Sequence, residues 1–323
     1  MKQSGVHKKA FAFPAALKAC GVLGINRRNA EYILPLNFRE LYPRVDDKLI
    51  TKSLCLQHQI PVPETYFSLS KHGEITGMRT RLLPLSEFVI KPACGSGGRG
   101  VLVIAENRGD SFLASDNSEL DYAEIRYHVS TILSGLYSLG GQPDRAIIES
   151  RIRPHEVFKQ IAVQGTPDVR VIVYKGVPVM AMLRLPTAMS KGRANLHQGA
   201  IAAGIVLQTG ITCGGVWNNK AIDIHPETGA SIVGVTIPHW QTILETSARL
   251  FDVLELQYFG VDFVLDSLRG PTILEANARP GLAIQIANRD GLLNRLKAVD
   301  KIQPAGKNSR ERLALLPILV GTL

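Results

Sequence analysis

Apolar positions along the chain fall into two periods. Three- and four-residue spacing of Tyr122, Ile125, Val129, Ile132, Leu133 and Leu136 predicts a helix over Ser118–Leu139. The same spacing of Trp240, Ile243, Leu244, Ser247, Leu250, Phe251 and Leu254 predicts another over Pro238–Leu254, with Pro238 suited to its first turn. A third is expected from Asp46-Asp47-Lys48 to about His58, with acids at its positive end and Ile60-Pro61-Val62-Pro63 ending it. Short apolar runs predict strands at Phe88–Pro92, Val101–Ile104 and Ala146–Ile148, and a hairpin of Asp168–Tyr174 with Val177–Leu185 around Lys175-Gly176. The clearest hairpin runs from Gly260 to Leu282: an apolar strand, a Gly270-Pro271 turn, a second apolar strand and a Pro280-Gly281 stop.

Polar residues that interrupt these runs are the candidates for chemistry. Asp262 lies in the first strand of that hairpin, while Glu275 and Asn277 sit two apart in the second and share a face. Three hard oxygen donors suit Mg²⁺, which takes its remaining ligands from water and phosphates. A surface hairpin with solvated acids is the alternative. Between Lys91 and the strand at Val101, Gly95, Gly97 and Gly100 satisfy G-x-G-x-x-G, but a strand follows where a dinucleotide site needs a helix. Gly95, Ser96, Gly97 and Gly98 read instead as a flap whose N–H groups close over phosphates, with Lys91 at its base; a plain hairpin turn is the alternative.

The strand at Ala146 runs into Glu149-Ser150-Arg151-Ile152, a connecting segment that can meet an adenine edge. Glu149 and Glu156 are either acceptors there or solvated acids. Lys48 and Lys52 share a helix face, where solvated lysines are the simple reading and a phosphate contact by Lys48 the other. Arg170 and Arg184 lie inside apolar strands and need an anion: Asp168 or Asp223, a phosphoryl group or a substrate carboxylate. The polar loop Lys191–Ala200, with Asn195 and His197, is a further candidate, though His197 is not favoured as a base.

Composition narrows the class. With 323 residues, 45% hydrophobic and 20% charged, the chain has room for two globular lobes. Its 37 basic and 28 acidic residues favour an anionic partner. Cys20, Cys55, Cys94 and Cys213 are too widely spaced for a zinc site and read as reduced thiols of a cytoplasmic protein. The N-terminal apolar patch is broken by Pro14 and Lys18, and Leu313–Leu323 is too short to span a membrane. Lys301–Arg312 reads as a linker or cap. The absence of an aromatic-rich recognition strand argues against nucleic acid as the partner.

In order, Lys91, the glycine flap, the Glu149 segment, Arg170, Arg184, Asn195 and the Asp262, Glu275, Asn277 set resemble the ATP-grasp superfamily. The resemblance is closest to the α-L-glutamate ligases that modify a ribosomal protein, with kinship to glutathione synthetase and D-alanine ligase. Its pieces include Asp47-Lys48, Val89-Ile90-Lys91-Pro92, Asp168-Val169-Arg170, Arg193–Gly199, Gly260-Val261-Asp262 and Leu274–Leu282. It implies an α+β fold of two subdomains gripping ATP: a short N-terminal segment over 1–45, a helix and lid over 46–148, a core over 149–300 and a tail over 301–323. It further implies Mg²⁺, with Mn²⁺ as a substitute, on Asp262, Glu275 and Asn277. ATP would lie on Lys48, Lys91, Gly95, Ser96, Gly97, Gly98, Glu149, Ser150, Ile152 and Glu156, Arg170 and Arg184 would stabilise the transferring group, and Asn195 and Arg279 would bind a substrate carboxylate and its acyl-phosphate. The implied reaction joins a carboxylate to an amine, such as an amino acid or peptide, through an acyl-phosphate. Whether the chain forms a homo-oligomer is left open. Relatives carry a larger domain before the lid, and Arg279 replaces a small residue of the ribosomal-protein ligases. An RNA-binding protein and an ATP-binding module without ligase activity are the alternatives.

Overall fold

The computed structural model describes residues 14–95 and 97–317. They form two antiparallel sheets. The smaller, in spatial order β1-β6-β2-β3-β4-β5, comprises β1 (Thr65–Leu69), β2 (Phe88–Pro92), β3 (Leu102–Asn107), β4 (Ser111–Ala114), β5 (Glu119–Asp121) and β6 (Ala146–Glu149). The larger, in order β11-β10-β9-β8-β7-β12-β13, comprises β7 (Asp168–Tyr174), β8 (Val177–Leu185), β9 (Ile201–Val206), β10 (Ile211–Trp217), β11 (Lys220–Ile222), β12 (Tyr258–Asp266) and β13 (Gly270–Asn277). The α+β class with two gripping lobes follows from this pair of sheets.

Each sheet has its own core. Phe88, Ile90, Ile104 and Ile148 of the small sheet pack with Ile125, Val129 and Ile132 of the helix Tyr122–Leu133. That helix is shorter than its periodicity suggests, because Glu119–Asp121 is drawn into β5 and Asp121 then caps the helix reciprocally with Glu124. In the larger core, Ile243, Leu244, Leu250 and Leu254 of the helix Trp240–Leu254 join Val171, Val173, Phe259 and Val261. Leu23, Tyr32, Ile33, Val45 and Cys55 belong to this second cluster, so the N-terminal segment and the helix Lys48–Gln57 pack on the larger lobe. Of the two readings of Lys301–Arg312, linker or cap, the structure does not make it a free linker: it ends one helix, Leu292–Ile302, and forms most of another, Ser309–Leu313. Arg312 fixes it there by donating to Ala248 O at 3.0 Å and Asp252 at 2.5 Å.

Strand register sorts the larger sheet into two faces. Asp262 pairs with Arg170 on one side and Glu275 on the other, Asp168 pairs with Arg184, and Asn277 pairs with Gly260. Cross-strand partners share a face, so all of these project from one side of the sheet, while Val169, Val171, Val261 and Ala276 project from the other. The segment after Asn277 then folds back across the charged side. Room for it comes from two glycines: a Cβ on Gly260 would lie 2.7 Å from Pro280, and one on Gly204 2.7 Å from Ala287 O.

Candidate active site

On the charged face, Arg170 reaches Asp262 with a fork, Nε to Oδ1 and Nη2 to Oδ2, both 2.6 Å. Arg184 spans two acids, donating to Asp168 Oδ1 at 2.5 Å, Asp168 Oδ2 at 2.6 Å and Asp262 Oδ2 at 2.7 Å. Of the partners the sequence offered for Arg184, Asp168 is the one it takes; Asp223 lies 3.4 Å from Arg289 instead. Burial works against ionisation of Asp262, but Arg170, Arg184 and the hydrogen bonds outweigh it and hold its carboxyl below the usual range. Burial pushes the Asp168 carboxyl up, the Asp262 charge adding to it against the pull of Arg184. Glu275 and Asn277 are half-buried, and Asn277 Nδ2 donates to Glu275 Oε1 at 3.3 Å, which leaves the Asn277 carbonyl oxygen for another partner.

A second cluster lies at the edge of the small lobe. Lys52, Lys91 and Glu149 are all buried. Glu149 receives Lys52 on one oxygen and Lys91, at 2.5 Å, on the other. Lys52 also donates to Pro63 O and Thr65 Oγ1, each at 2.8 Å, so it ties its helix to the start of β1 and the end of β6. The Lys91 ammonium, although paired with Glu149, has no aligned hydrogen-bond acceptor. Burial lowers the pKa of Lys48, Glu275 opposes this and the Lys91 charge adds to it, so both clusters act on Lys48. Its Nζ donates to Gly95 O at 2.5 Å, at the flap's first turn.

Gly97 and Gly98 have φ of +65° and +71°, a region that disfavours side chains. A Cβ on Gly97 would come 3.6 Å from Asn195 Nδ2 and one on Gly98 3.5 Å from Arg193, so the flap faces the polar loop of the larger lobe. Both flap ends are fastened: Asp144 accepts from Cys94 N at 3.0 and 3.1 Å, and His128 Nε2 lies 3.0 Å from Gly100 O. Ser96 lies outside the described residues.

Other expected groups are dispersed. Each oxygen of Glu149 is paired with a lysine, so an adenine contact of the kind expected for it would share oxygens already engaged. Ser150 Oγ accepts from Glu64 N at 3.1 Å and Arg269 Nη1 at 2.8 Å. Ile152 is half-buried, and Glu156 is exposed at the start of a short helical turn. Asn195 uses Oδ1 to accept from His197 N at 3.0 Å. Arg279 is exposed, its guanidinium 5.3 Å from the Tyr42 ring centroid. Sequence reasoning took Lys52 for a solvated lysine; its place on one stripe with Lys48 and Cys55 was the available signal.

The family model for sugar-transfer associated ATP-grasp proteins matches residues 27–301. The chain belongs to this family. Among curated proteins it is similar to a probable α-L-glutamate ligase of Parasynechococcus marenigrum, 25% identical over 247 residues, 76% of this chain and 39% of the relative. Among solved structures, ATP-grasp ligase PsnB with a minimal precursor is 14% identical over 80% of this chain and 59% of its own, with a TM-score of 0.45. D-alanine–D-alanine ligase of Bacillus anthracis is 15% identical over 88% and 69%, with a TM-score of 0.45. The chain thus spans about two fifths of the curated relative and three fifths of the PsnB chain. No helix among the described residues is long and apolar enough to cross a membrane. Cys20, Cys55, Cys94 and Cys213 are all free thiols.

An ATP-grasp protein implies ATP and a divalent cation, and the residues present fit both. An ammonium without an aligned acceptor and a positive-φ glycine turn suit phosphates. Glu275 and Asn277 offer hard oxygens for the cation. Asp262 accepts three guanidinium hydrogen bonds, which leaves about one lone pair for a metal.

Proposed function

We propose that the protein is an ATP-dependent carboxylate–amine ligase that forms an amide through an acyl-phosphate. The observation that carries this reading is the meeting of a lysine-rich edge and a carboxylate-rich sheet face around Lys48, on which both Lys91 and Glu275 act. Lys48, Lys91 and the backbone N–H groups of the flap bind the ATP phosphates and keep the terminal one in line. Glu275 and Asn277, with Asp262 behind them, hold Mg²⁺. The cation, when bound, neutralises charge on the transferring phosphoryl group. Arg170 and Arg184, paired with Asp262 and Asp168, fix the Asp262 carboxylate in place on the sheet face beside Glu275 and Asn277. The lid, about residues 60–148, closes over a core of 149–300 with its flap against Asn195, excluding water from the acyl-phosphate.

Glutamate is the first amino acid to test, because of the curated relative's name, and amino sugars and uronic acids follow from the family's association with sugar transfer. The experiment is ADP release over a matrix of carboxylates and amines, with mass spectrometry of the products. An amide formed with stoichiometric ADP supports the ligase. Tight ATP binding without ADP release for any pair identifies a binding module instead.

A further inference from the structure

Five Lys and Arg side chains are buried among the described residues: Arg28, Lys52, Lys91, Arg184 and Arg312. Four have a carboxylate partner: Glu149 for both lysines, Asp168 and Asp262 for Arg184, and Asp252 for Arg312. Arg28 has none among the described residues, and no acid occurs in residues 1–13. Its Nε and Nη2 donate to Asn29 Oδ1 at 3.1 and 2.9 Å, and Nη1 donates to Pro280 O at 2.7 Å. Three of five N–H groups are thus used, all on neutral acceptors, and the charge is left uncompensated in a place where burial disfavours it.

A second orphan adjoins it. The Tyr258 hydroxyl is buried without a hydrogen-bond partner, and Tyr258 and Arg28 act on each other's ionisation. Tyr258 lies on the face of β12 that carries Asp262, two positions beyond Gly260, over which Pro280 sits. Exposed Arg279 adds a further positive charge near Arg28. Asp46, on which Arg279 acts, forms no ion pair with either arginine among the described residues. A buried guanidinium with two unused N–H groups and a buried phenol hydroxyl without a partner match a planar oxyanion, and the phosphates already have the lysine cluster.

We propose that Arg28 and the Tyr258 hydroxyl, with Arg279 beside them, bind a carboxylate of the second substrate, so that the N-terminal segment selects an acidic acceptor. This rests on the ligase reading for what the carboxylate belongs to, but its test does not. The full chain is melted and titrated by calorimetry with L-glutamate, glutarate and galacturonate, with neutral L-glutamine and inorganic phosphate as controls, and ATP affinity is measured separately. At least one carboxylate should bind and raise the melting temperature, and its affinity should fall tenfold or more in Tyr258→Phe and in Arg28→Met, with ATP affinity retained. Tyr258→Phe should itself melt no lower than the wild type, since it removes a hydroxyl that has no partner, and so keeps the test decisive if Arg28→Met does not fold. Carboxylate affinity unchanged in Tyr258→Phe overturns the site. Phosphate bound with the same dependence on Tyr258 and Arg28 overturns its assignment to a carboxylate. If carboxylates bind through Arg28 but no acceptor releases ADP, the ligase reading fails and the site stands.

Discussion

Two charge clusters, one at the edge of the small lobe and one on the face of the larger sheet, have opposite imbalance. At the small lobe's edge, Lys52 and Lys91 share one carboxylate, Glu149, while Lys48 donates to Gly95 O; on the sheet face, Asp168, Asp262 and Glu275 outnumber Arg170 and Arg184. Arg312 with Asp252, by contrast, is paired one to one. Desolvated charge in excess of its partner is costly, so one such cluster alone would be a defect. Two of opposite sign suit a ligand that itself carries both, and a phosphate chain with a divalent cation is such a ligand. The lesson is that the site is legible as a pair of deficits more than as any one residue.

The largest effect should come from unbalancing the sheet face. Asp262→Asn leaves two guanidinium groups without their shared acid and should cost roughly 3–5 kcal/mol in denaturant unfolding. A loss near zero would mean that the arginines find other partners and that the cluster is not a unit. Next, Lys52→Met leaves Glu149 wholly to Lys91 and unties the helix Lys48–Gln57 from the lid. ATP affinity by calorimetry should fall about tenfold, roughly 1.4 kcal/mol, with partial recovery in Lys52→Arg. Unchanged affinity would show the lysine edge to be structural.

Much of this arrangement could be read from the chain. Hairpin grammar locates β12 and β13, period-2 alternation sets Glu275 and Asn277 on one face, and apolar strands around Arg170 and Arg184 signal that each needs an anion. Burial of Lys52 was hidden because a lysine four residues from another looks like a solvated pair until the facing Glu149 is known. The Glu149 role was missed for the same reason, its partners lying 58 and 97 positions away in sequence. Arg28 lies in a segment with little periodicity, and its isolation from acids is visible only in three dimensions.

A smaller effect is expected at the flap. Replacing Gly97 and Gly98 with alanine puts a Cβ at positive φ, at about 1 kcal/mol each, and should raise the Michaelis constant for ATP several-fold. A loss of stability with an unaltered constant would return the flap to a simple turn. The most gradual is a pH dependence. Burial holds the Lys52 pKa down to about 8, from 10.5, although Glu149 opposes it. Below about 8 the folded and unfolded chains both carry the proton; between about 8 and 10.5 the unfolded chain alone does, so stability gains as pH rises through that window. The stability of wild type minus that of Lys52→Met should be flat below pH 8 and rise above it, by on the order of 1 kcal/mol per pH unit. A fall over the same range would mean that the ion pair with Glu149 prevails over burial.

The central claim is that the two imbalances are completed by one ligand, phosphates on the lysine edge and a cation on the carboxylate face. Calorimetric titration of ATP with and without Mg²⁺, on wild type and Glu275→Gln of equal thermal stability, tests it. The account predicts ATP binding in both proteins and a gain in affinity with Mg²⁺ of about tenfold or more in the wild type that is largely lost in Glu275→Gln. An equal gain in the two proteins, or no ATP binding in either, would contradict it.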